Sequence, residues 1–283
     1  MEQFLNWWQR IPEHINPNII EIGSFQIRYY SLMYVVAFTI IYLLVLYRAK
    51  HEERYRYSKE IIQDYFIWAI LGVIISGRLG YVLFYDLKYF IANPLEIILP
   101  FDFSNGLHYV GISGMSYHGG VIGAILVSIF FCRKHRMNFW RFTDFLSPAI
   151  PLGYMFGRIG NFINGELYGR VTTLPWGMYF PLDPRYQLRH PSQLYEAFFE
   201  GIFLFIILWS IRRIKYFDGF LLSLYLIGYG LMRFFIEFAR QPDPQLGFIL
   251  GLFTMGQVLC AVMVLAGVFI IFIRRPRKLF FYL

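Results

Sequence analysis

The sequence predicts an all-α polytopic membrane protein with about seven transmembrane helices, its N-terminus outside, its C-terminus cytoplasmic, and a small cap on the outer side. Three observations carry that expectation. Of 283 residues, 57% are hydrophobic and 16% charged, a balance that belongs to the membrane class. The apolar residues come in several long runs rather than in alternating or amphipathic stripes. Basic residues then recur after every second run, the asymmetry that orients helices across a bilayer.

Taken in order, the runs place spans at 28–47, 65–85, 117–132, 142–157, 194–211, 220–238 and 250–273. A span needs about 20 residues, or about 17 at the short end. The third and fourth are short and carry Gly119, Gly120, Gly123, Pro148 and Pro151. They are therefore expected to be broken or partly re-entrant, beside a cavity where protein or water satisfies the freed backbone. The first residues interleave Trp, Glu, His and Pro where a cleavable signal needs an unbroken apolar core, so the first span is expected to be its own insertion signal. Basic clusters follow the first, third, fifth and last spans, which places Lys50, Lys134, Lys215 and Lys278 in the cytoplasm and Asn164 and Tyr186 outside. The net charge of +8 thus has a membrane explanation. No nucleic-acid partner is expected, because the charges alternate with spans instead of forming one stripe. The whole chain, 1–283, reads as a single transmembrane domain, with 171–190, rich in Pro, Trp, Tyr and Arg, as an outer loop, cap or lid. Cys132 and Cys260 lie far apart in apolar runs, which suggests buried, inert thiols.

The polar exception is GRIGNFINGELYGR at 157–170. Four glycines and the side chains of Arg158, Asn161, Asn164, Glu166 and Arg170 predict a bent, ligand-approaching loop rather than a helix. Its bland alternative is a polar loop closing a helix end. Other ionisable groups converge at the same expected depth. Arg78 lies seven residues before the outer end of the second span, His118 opens the third, and Tyr229, Arg233 and Glu237 share one face near the outer end of the sixth. Glu196 and Glu200 are spaced likewise in the fifth. Singly, each has a structural reading: Arg78 snorkels, Arg233 pairs with Glu237, His118 caps a helix. Together they are a sizeable handicap, since each deep charge costs about 2.5–3.5 kcal/mol on the insertion scale. The arginines also outnumber the nearby carboxylates, so an anion is expected among them. At headgroup level that anion is a lipid phosphate, which the guanidinium fork grips bidentately.

The segments MSYHGG at 115–120, GRIGNFINGELYGR at 157–170, RHPSQLYE at 189–196 and GYGLMRFFIEFARQPD at 228–243, in this order, closely resemble the bacterial phosphatidylglycerol-prolipoprotein diacylglyceryl transferases. RYYSLMY at 28–34 and SGRLGYVLFY at 76–85 fit as well. Two departures stand out: Ser31 replaces a usual glycine, and the stretch 101–114 is longer than usual. The resemblance implies an enzyme of the bacterial inner membrane, active site toward the outer face. Its partners would be phosphatidylglycerol, a prolipoprotein and the surrounding lipids, and it would move the diacylglyceryl group onto the lipobox cysteine and release glycerol 1-phosphate. It also implies that Arg158 and Arg233 are essential, with His118, Tyr30, Asn161, Glu166, Tyr229 and Glu237 lining the site; His118 and Tyr229 are expected to be catalytic beside the arginines, and Arg78, from its depth, joins the expected lipid-binding residues. No cofactor and no metal are expected.

That chemistry suits the residue types. A thiol with a pKa of about 8.5 must lose its proton before it attacks the glycerol carbon, and the phosphate gains charge as the C–O bond breaks, so fixed arginines favour the transition state. His118 is one candidate base; the arginine field, Tyr229 and a carboxylate such as Glu237 are others. A transporter or flippase of an anionic lipid or solute is the alternative class. It would usually show paired repeats and polar groups toward both membrane faces, whereas here they gather on one. A receptor or scaffold would not need three arginines at similar depth.

Overall fold

The computed structural model describes residues 2–22, 25–99, 101–102, 108–109, 114–214, 216–241, 248–249 and 253–275. Lys215 and Lys278, two of the four lysines expected in the cytoplasm, lie outside them, as does most of the unusual stretch 101–114. The described chain is mostly helical and carries only short two-stranded sheets. It forms two compact units, one of Met1–Glu52 with Thr143–Leu283, the other of Glu53–Phe142.

The first unit opens with α1 (Glu2–Gln9), whose Phe4 and Trp7 are exposed. The hairpin of β1 (Asn18–Ile22) and β2 (Phe25–Arg28) leads into α2 (Tyr29–His51). The second unit is built on α3 (Lys59–Phe84), followed by α4 (Leu87–Ala92), β3 (Phe101–Asp102), β4 (His108–Tyr109) and α5 (Tyr117–Lys134). Ser58 caps α3 and Ser116 caps α5, each accepting a backbone N–H three residues on. Helix α5 is continuous, contrary to the expected break. Its glycines serve contact, not bending: a Cβ on Gly119 would strike the Ser76 carbonyl, and one on Gly123 would meet the Gly72 carbonyl at 2.5 Å. Without water to expel, helices in lipid gain by close backbone approach, and small residues permit it.

Returning to the first unit, α6 (Phe139–Leu146) crosses its boundary and ends where residues 147–149 turn; α7 (Ile150–Ile163) starts anew. The expected span 142–157 is therefore not one helix. Pro148 interrupts it, and Pro151 stands in the first turn of α7, where a missing N–H costs nothing. After α7 come β5 (Met178–Tyr179), β6 (Leu188–Arg189) and α8 (Ser192–Glu196), which passes through a π-helical segment, Ala197–Phe203, into α9 (Leu204–Ile211). Then follow α10 (Phe220–Ile236), which stops two residues before the expected 238, β7 (Phe248–Ile249), β8 (Phe253–Thr254) and α11 (Met255–Arg274).

Among the described residues four helical stretches are long and apolar enough to cross a membrane: Tyr29–His51, Lys59–Phe84, Ser192–Ile211 and Met255–Arg274. Helix α10 is shorter, at 17 residues, and α7 has 14. Both pack tightly. A Cβ on Gly230 of α10 would meet the Cys260 carbonyl of α11 at 2.9 Å, and one on Gly160 of α7 would meet Tyr30 of α2 at 3.1 Å. Cys132 and Cys260 are both buried free thiols.

Candidate active site

Helix α7 does not end at the polar motif but carries it. Gly157–Ile163 is helical, so GRIGNFI is not the bent loop the glycines suggested. Gly160 faces α2, and only Gly165, at φ +68°, needs a left-handed backbone. The helical spacing puts Tyr154, Arg158 and Asn161 on one face. The guanidinium of Arg158 lies over the Tyr154 ring at 4.7 Å, and its Nη1 donates to Asn161 Oδ1 at 3.1 Å. Asn161 Nδ2 passes the link to Glu166 Oε1 at 2.8 Å, and Asn164 Nδ2 reaches the same oxygen at 3.4 Å.

The turn bearing Glu166 is strained, since Leu167 is a non-glycine residue at φ 57°. The next motif holds it in place. Gln193 Nε2 donates to the Glu166 carbonyl at 2.6 Å and Ser192 Oγ to the Leu167 carbonyl at 3.0 Å, both from completely buried side chains. Beyond it, Gly169 N donates to the His190 carbonyl and Arg170 N to the Ala239 carbonyl, both at 2.8 Å. The segment 171–190 is itself ordered. Phe162, Met178 and Phe180 form its small core with Trp8 and Ile11 against them. Arg189 forks onto Asp183 at 2.7 and 2.8 Å and holds that carboxyl below the usual carboxylate range.

At the centre three helical stretches bring opposite charges together. Oε2 of Glu196 lies 3.0 Å from Arg158 Nε and 2.7 Å from Arg233 Nη1, while Oε1 lies 3.3 Å from Arg240 Nη1. Arg233 also reaches Glu237 Oε2 at 3.3 Å and, more distantly, Glu200 Oε1 at 3.8 Å. Thr254, which caps α11 in a reciprocal pairing with Gln257, donates its hydroxyl to Glu237 Oε1 at 3.0 Å. Tyr154 donates to Glu200 Oε2 at 2.6 Å and is itself the acceptor for the Tyr229 hydroxyl at 3.4 Å. Buried ions survive in apolar surroundings only when paired. Yet Arg233 Nη1, Glu200 Oε1 and Glu237 Oε2 are buried without a well-aligned hydrogen bond. Two guanidinium groups thus converge on one carboxylate oxygen with bonding capacity to spare, which is how an oxyanion would be held.

Of the residues singled out from sequence, the structure brings Arg158, Asn161, Glu166, Arg233 and Glu237 into this one network, with Tyr229 joined through Tyr154. Tyr30 packs on Gly160 and shares a hydrogen bond of 3.0 Å with Tyr34. His118 and Arg78 belong to the second unit. His118 is the second residue of α5, as expected. Arg78 spends its donors on carbonyls of that unit: Nε on Ile97 at 2.9 Å, Nη2 on Glu96 at 2.6 Å and Nη1 on Gly114 at 3.2 Å. Tyr154, Glu196, Glu200 and Arg240 join the network without being among the site residues expected from sequence. Glu196 and Glu200 had been visible as a helical pair; Tyr154 had its spacing of four from Arg158 as a signal. A cavity of about 550 Å³ lined by Ile15, Asn16, Asn18, Tyr29 and Ile163 also opens in the first unit.

Residues 17–273 match the model of the family described as prolipoprotein diacylglyceryl transferase. A phosphatidylglycerol–prolipoprotein diacylglyceryl transferase of Chlorobaculum tepidum is 54% identical over 269 residues, covering 95% of this chain and 93% of that protein. Proteins of the same name from Campylobacter hominis and Wolinella succinogenes are 44% identical over 268 residues and 45% over 258. These cover 93% and 90% of this chain, and 92% of each relative.

Proposed function

Because the chain belongs to the prolipoprotein diacylglyceryl transferase family, we propose that it transfers the diacylglyceryl group of phosphatidylglycerol to the lipobox cysteine of prolipoproteins, forming a thioether and releasing glycerol 1-phosphate. The observation that carries the reading is the convergence of Arg158 and Arg233 on one carboxylate oxygen, at 3.0 and 2.7 Å. A lipid phosphate entering there takes up the role Glu196 fills in its absence. As the C–O bond breaks, the phosphate changes from a monoanion to a group able to carry two charges, and preorganised guanidinium groups stabilise that change. Asn161 and Glu166 fix the Arg158 fork, and Glu237 orients Arg233. Tyr30 lines the lipid side. On sequence grounds alone, His118 engages the lipobox thiol and Arg78 adds positive charge for the headgroup.

The topology is part of the same proposal. Seven spans, with the N-terminus outside and the C-terminus in the cytoplasm, put this network near the outer headgroups of the bacterial inner membrane, under the cap formed by 171–190. Four helical stretches already satisfy length and hydropathy, and neighbouring helices can satisfy the backbone of shorter or interrupted segments such as α6 and α7. Tyr186 is exposed in the cap. Tyr186→Cys in whole cells should react with an impermeant thiol reagent; reaction only after permeabilisation would invert the arrangement.

The deciding assay combines purified full-length protein, phosphatidylglycerol vesicles and a lipobox peptide. Thioether-linked diacylglyceryl peptide is the expected product. Movement of phosphatidylglycerol between leaflets with no modified peptide would support a flippase instead.

A further inference from the structure

The three carboxylates of the network are not equally served. Glu196 has three guanidinium nitrogens within 2.7–3.3 Å, and Glu237 has Arg233 and the Thr254 hydroxyl. Glu200 is completely buried, its ion pair with Arg233 is long at 3.8 Å, and Oε1 has no hydrogen-bond partner. It also lies in the π-helical segment Ala197–Phe203, a distortion that recurs at functional sites. Its other oxygen terminates a file of hydroxyls. Tyr229 donates to Tyr154 at 3.4 Å, and Tyr154 donates to Glu200 Oε2 at 2.6 Å. Tyr154 also lies 3.3 Å from Glu196 Oε2, but its bond to Glu200 is the shorter, and donation from Tyr229 to Tyr154 to Glu200 is the polarity that moves a proton from Tyr229 inward.

Resting on the transferase reading above, we propose that Glu200 is where the lipobox thiol's proton comes to rest, delivered through Tyr229 and Tyr154. The thiol proton passes to the Tyr229 oxygen as the Tyr229 proton moves to Tyr154 and the Tyr154 proton to Glu200. The sulfur lone pair forms the S–C bond to the glycerol carbon, and the C–O bond electrons leave on the phosphate oxygen. Both tyrosines end as they began, Glu200 ends as a neutral acid, and the phosphate ends with one more negative charge. Total charge is conserved. The gain is local: a neutral Glu200 no longer competes for Arg233 at the moment the phosphate becomes a dianion. Returning the proton to the departing glycerol phosphate resets the site.

The groups facing Glu200 fit this assignment. Tyr154 and Arg158 come from α7, and Tyr229 and Arg233 from α10, with Glu237 just beyond. Glu196 precedes it on its own helix, and Cys260 of α11 sits among the same charges. Glu196 and Glu237 each have a guanidinium nitrogen within 3.3 Å, whereas the one nearest Glu200 is at 3.8 Å, so an arriving proton displaces the weakest ion pair at Glu200.

The test follows product formation by the full-length enzyme with phosphatidylglycerol and a lipobox peptide across pH. Glu200→Gln and Tyr154→Phe should each lower kcat by about 10²–10⁴-fold, the usual range for proton transfer to a positioned group. KM for phosphatidylglycerol should stay within a few-fold, and both variants should regain rate as pH nears the thiol value of about 8.5. Glu200→Asp should recover part of the rate lost in Glu200→Gln. Tyr154→Phe keeps the ring beneath Arg158 and decides the matter alone should Glu200→Gln fail to fold. Turnover by Tyr154→Phe within a few-fold of the parent, with the parental pH profile, would overturn the relay. So would a Glu200→Gln defect that higher pH does not relieve. Absence of thioether product from the parent itself would instead remove the transferase reading on which the relay rests.

Discussion

Two buried ionic clusters stand at opposite ends of the α2–α7 pair, and they are built by different rules. Arg48, near the end of α2, is completely buried, and its guanidinium has well-placed acceptors on every side. Nε donates to both Glu52 oxygens at 2.9 and 3.0 Å, Nη2 to Glu52 at 2.7 Å, and Nη1 to the carbonyls of Asp144 and Phe145 at 2.9 and 2.6 Å. Those carbonyls belong to the end of α6, so Arg48 holds the break that lets α7 start afresh. Asp144 in turn caps the start of α10, accepting from Gly219 N at 2.8 Å and Leu222 N at 3.0 Å. Only Arg212, at the edge of the cluster, pairs with Glu52 at 3.2 Å without an aligned Nε bond. Tyr30, at the other end of α2, is 18 residues or roughly 27 Å away at helical rise. Around Arg158 and Arg233 the carboxylates are buried and the guanidinium groups 12–14% exposed, and three polar atoms there lack aligned bonds. Saturation fits a structural cluster; spare capacity fits the lipid-phosphate site proposed above.

The largest effect expected from this contrast is on stability. Arg48→Ala strands the buried Glu52 carboxylate with only the Arg212 pair, and breaking such a cluster costs about 3–5 kcal/mol. Thermal unfolding in detergent should show it, with activity falling only in proportion to folded protein. If the variant folds normally but loses turnover, the division between the clusters fails. Next is Arg158→Lys. Charge is retained and the planar fork is lost, so activity should fall by about 10²–10³-fold, equivalent to about 2.7–4 kcal/mol. Melting should barely move, because the Glu196 carboxylate keeps Arg233 and Arg240. Turnover close to the parental rate would mean that bulk field rather than geometry is what Arg158 supplies.

The same contrast explains what the sequence made legible. Arg158, Arg233 and Glu237 stand out because charges inside apolar runs are costly and few. Arg48 is invisible in its real role, since it reads as one more basic residue after a span, and its carbonyl partners lie 96 and 97 residues away. Tyr154 is lost among 22 tyrosines, and a file of hydroxyls depends on how helices rotate against each other. Glu200 was seen only as half of a spaced pair, because a π-helical segment has no sequence pattern that periodicity detects. The motif at 157–170 reads as a loop in sequence because glycine serves bending and close packing alike, and only the neighbour at Gly160 decides between them.

A third ion pair, Asp183 with Arg189 in the segment 171–190, tests whether saturation matters without a surrounding cluster. Asp183 accepts the Arg189 fork and the backbone N–H groups of Arg185 and Gln187 at 3.3 and 3.0 Å. Asp183→Asn keeps the shape and loses the charge, so this segment should weaken by about 1 kcal/mol. The fork holds the Asp183 carboxyl low in the folded state. Its stabilisation is therefore complete above the unfolded value of about 3.9 and fades as pH falls through the lower folded one. Hydrogen exchange at the Met178 and Leu188 amides should show the same parent–variant difference at pH 7 and 5. A difference that has already faded at pH 5 would assign it to another group.

The smallest effect is expected at His118, and it bears most directly on the proton. An imidazole with an unperturbed pKa of about 6.5 suits a general base near neutrality, and a residue in that role would lose about 10²–10⁴-fold on removal, with recovery toward the pKa of the thiol. On the proposed relay that role is redundant, since Tyr229 and Tyr154 offer a hydrogen-bonded route to a buried, poorly paired carboxylate. His118→Gln should then cost only a few-fold, keep the parental pH profile and raise KM for the peptide, because glutamine still offers a donor and an acceptor for orienting the thiol. A large, pH-recoverable loss in His118→Gln together with a parental profile in Tyr154→Phe would assign proton removal to His118 and end the relay. The network around Glu196 would then be left with the phosphate alone.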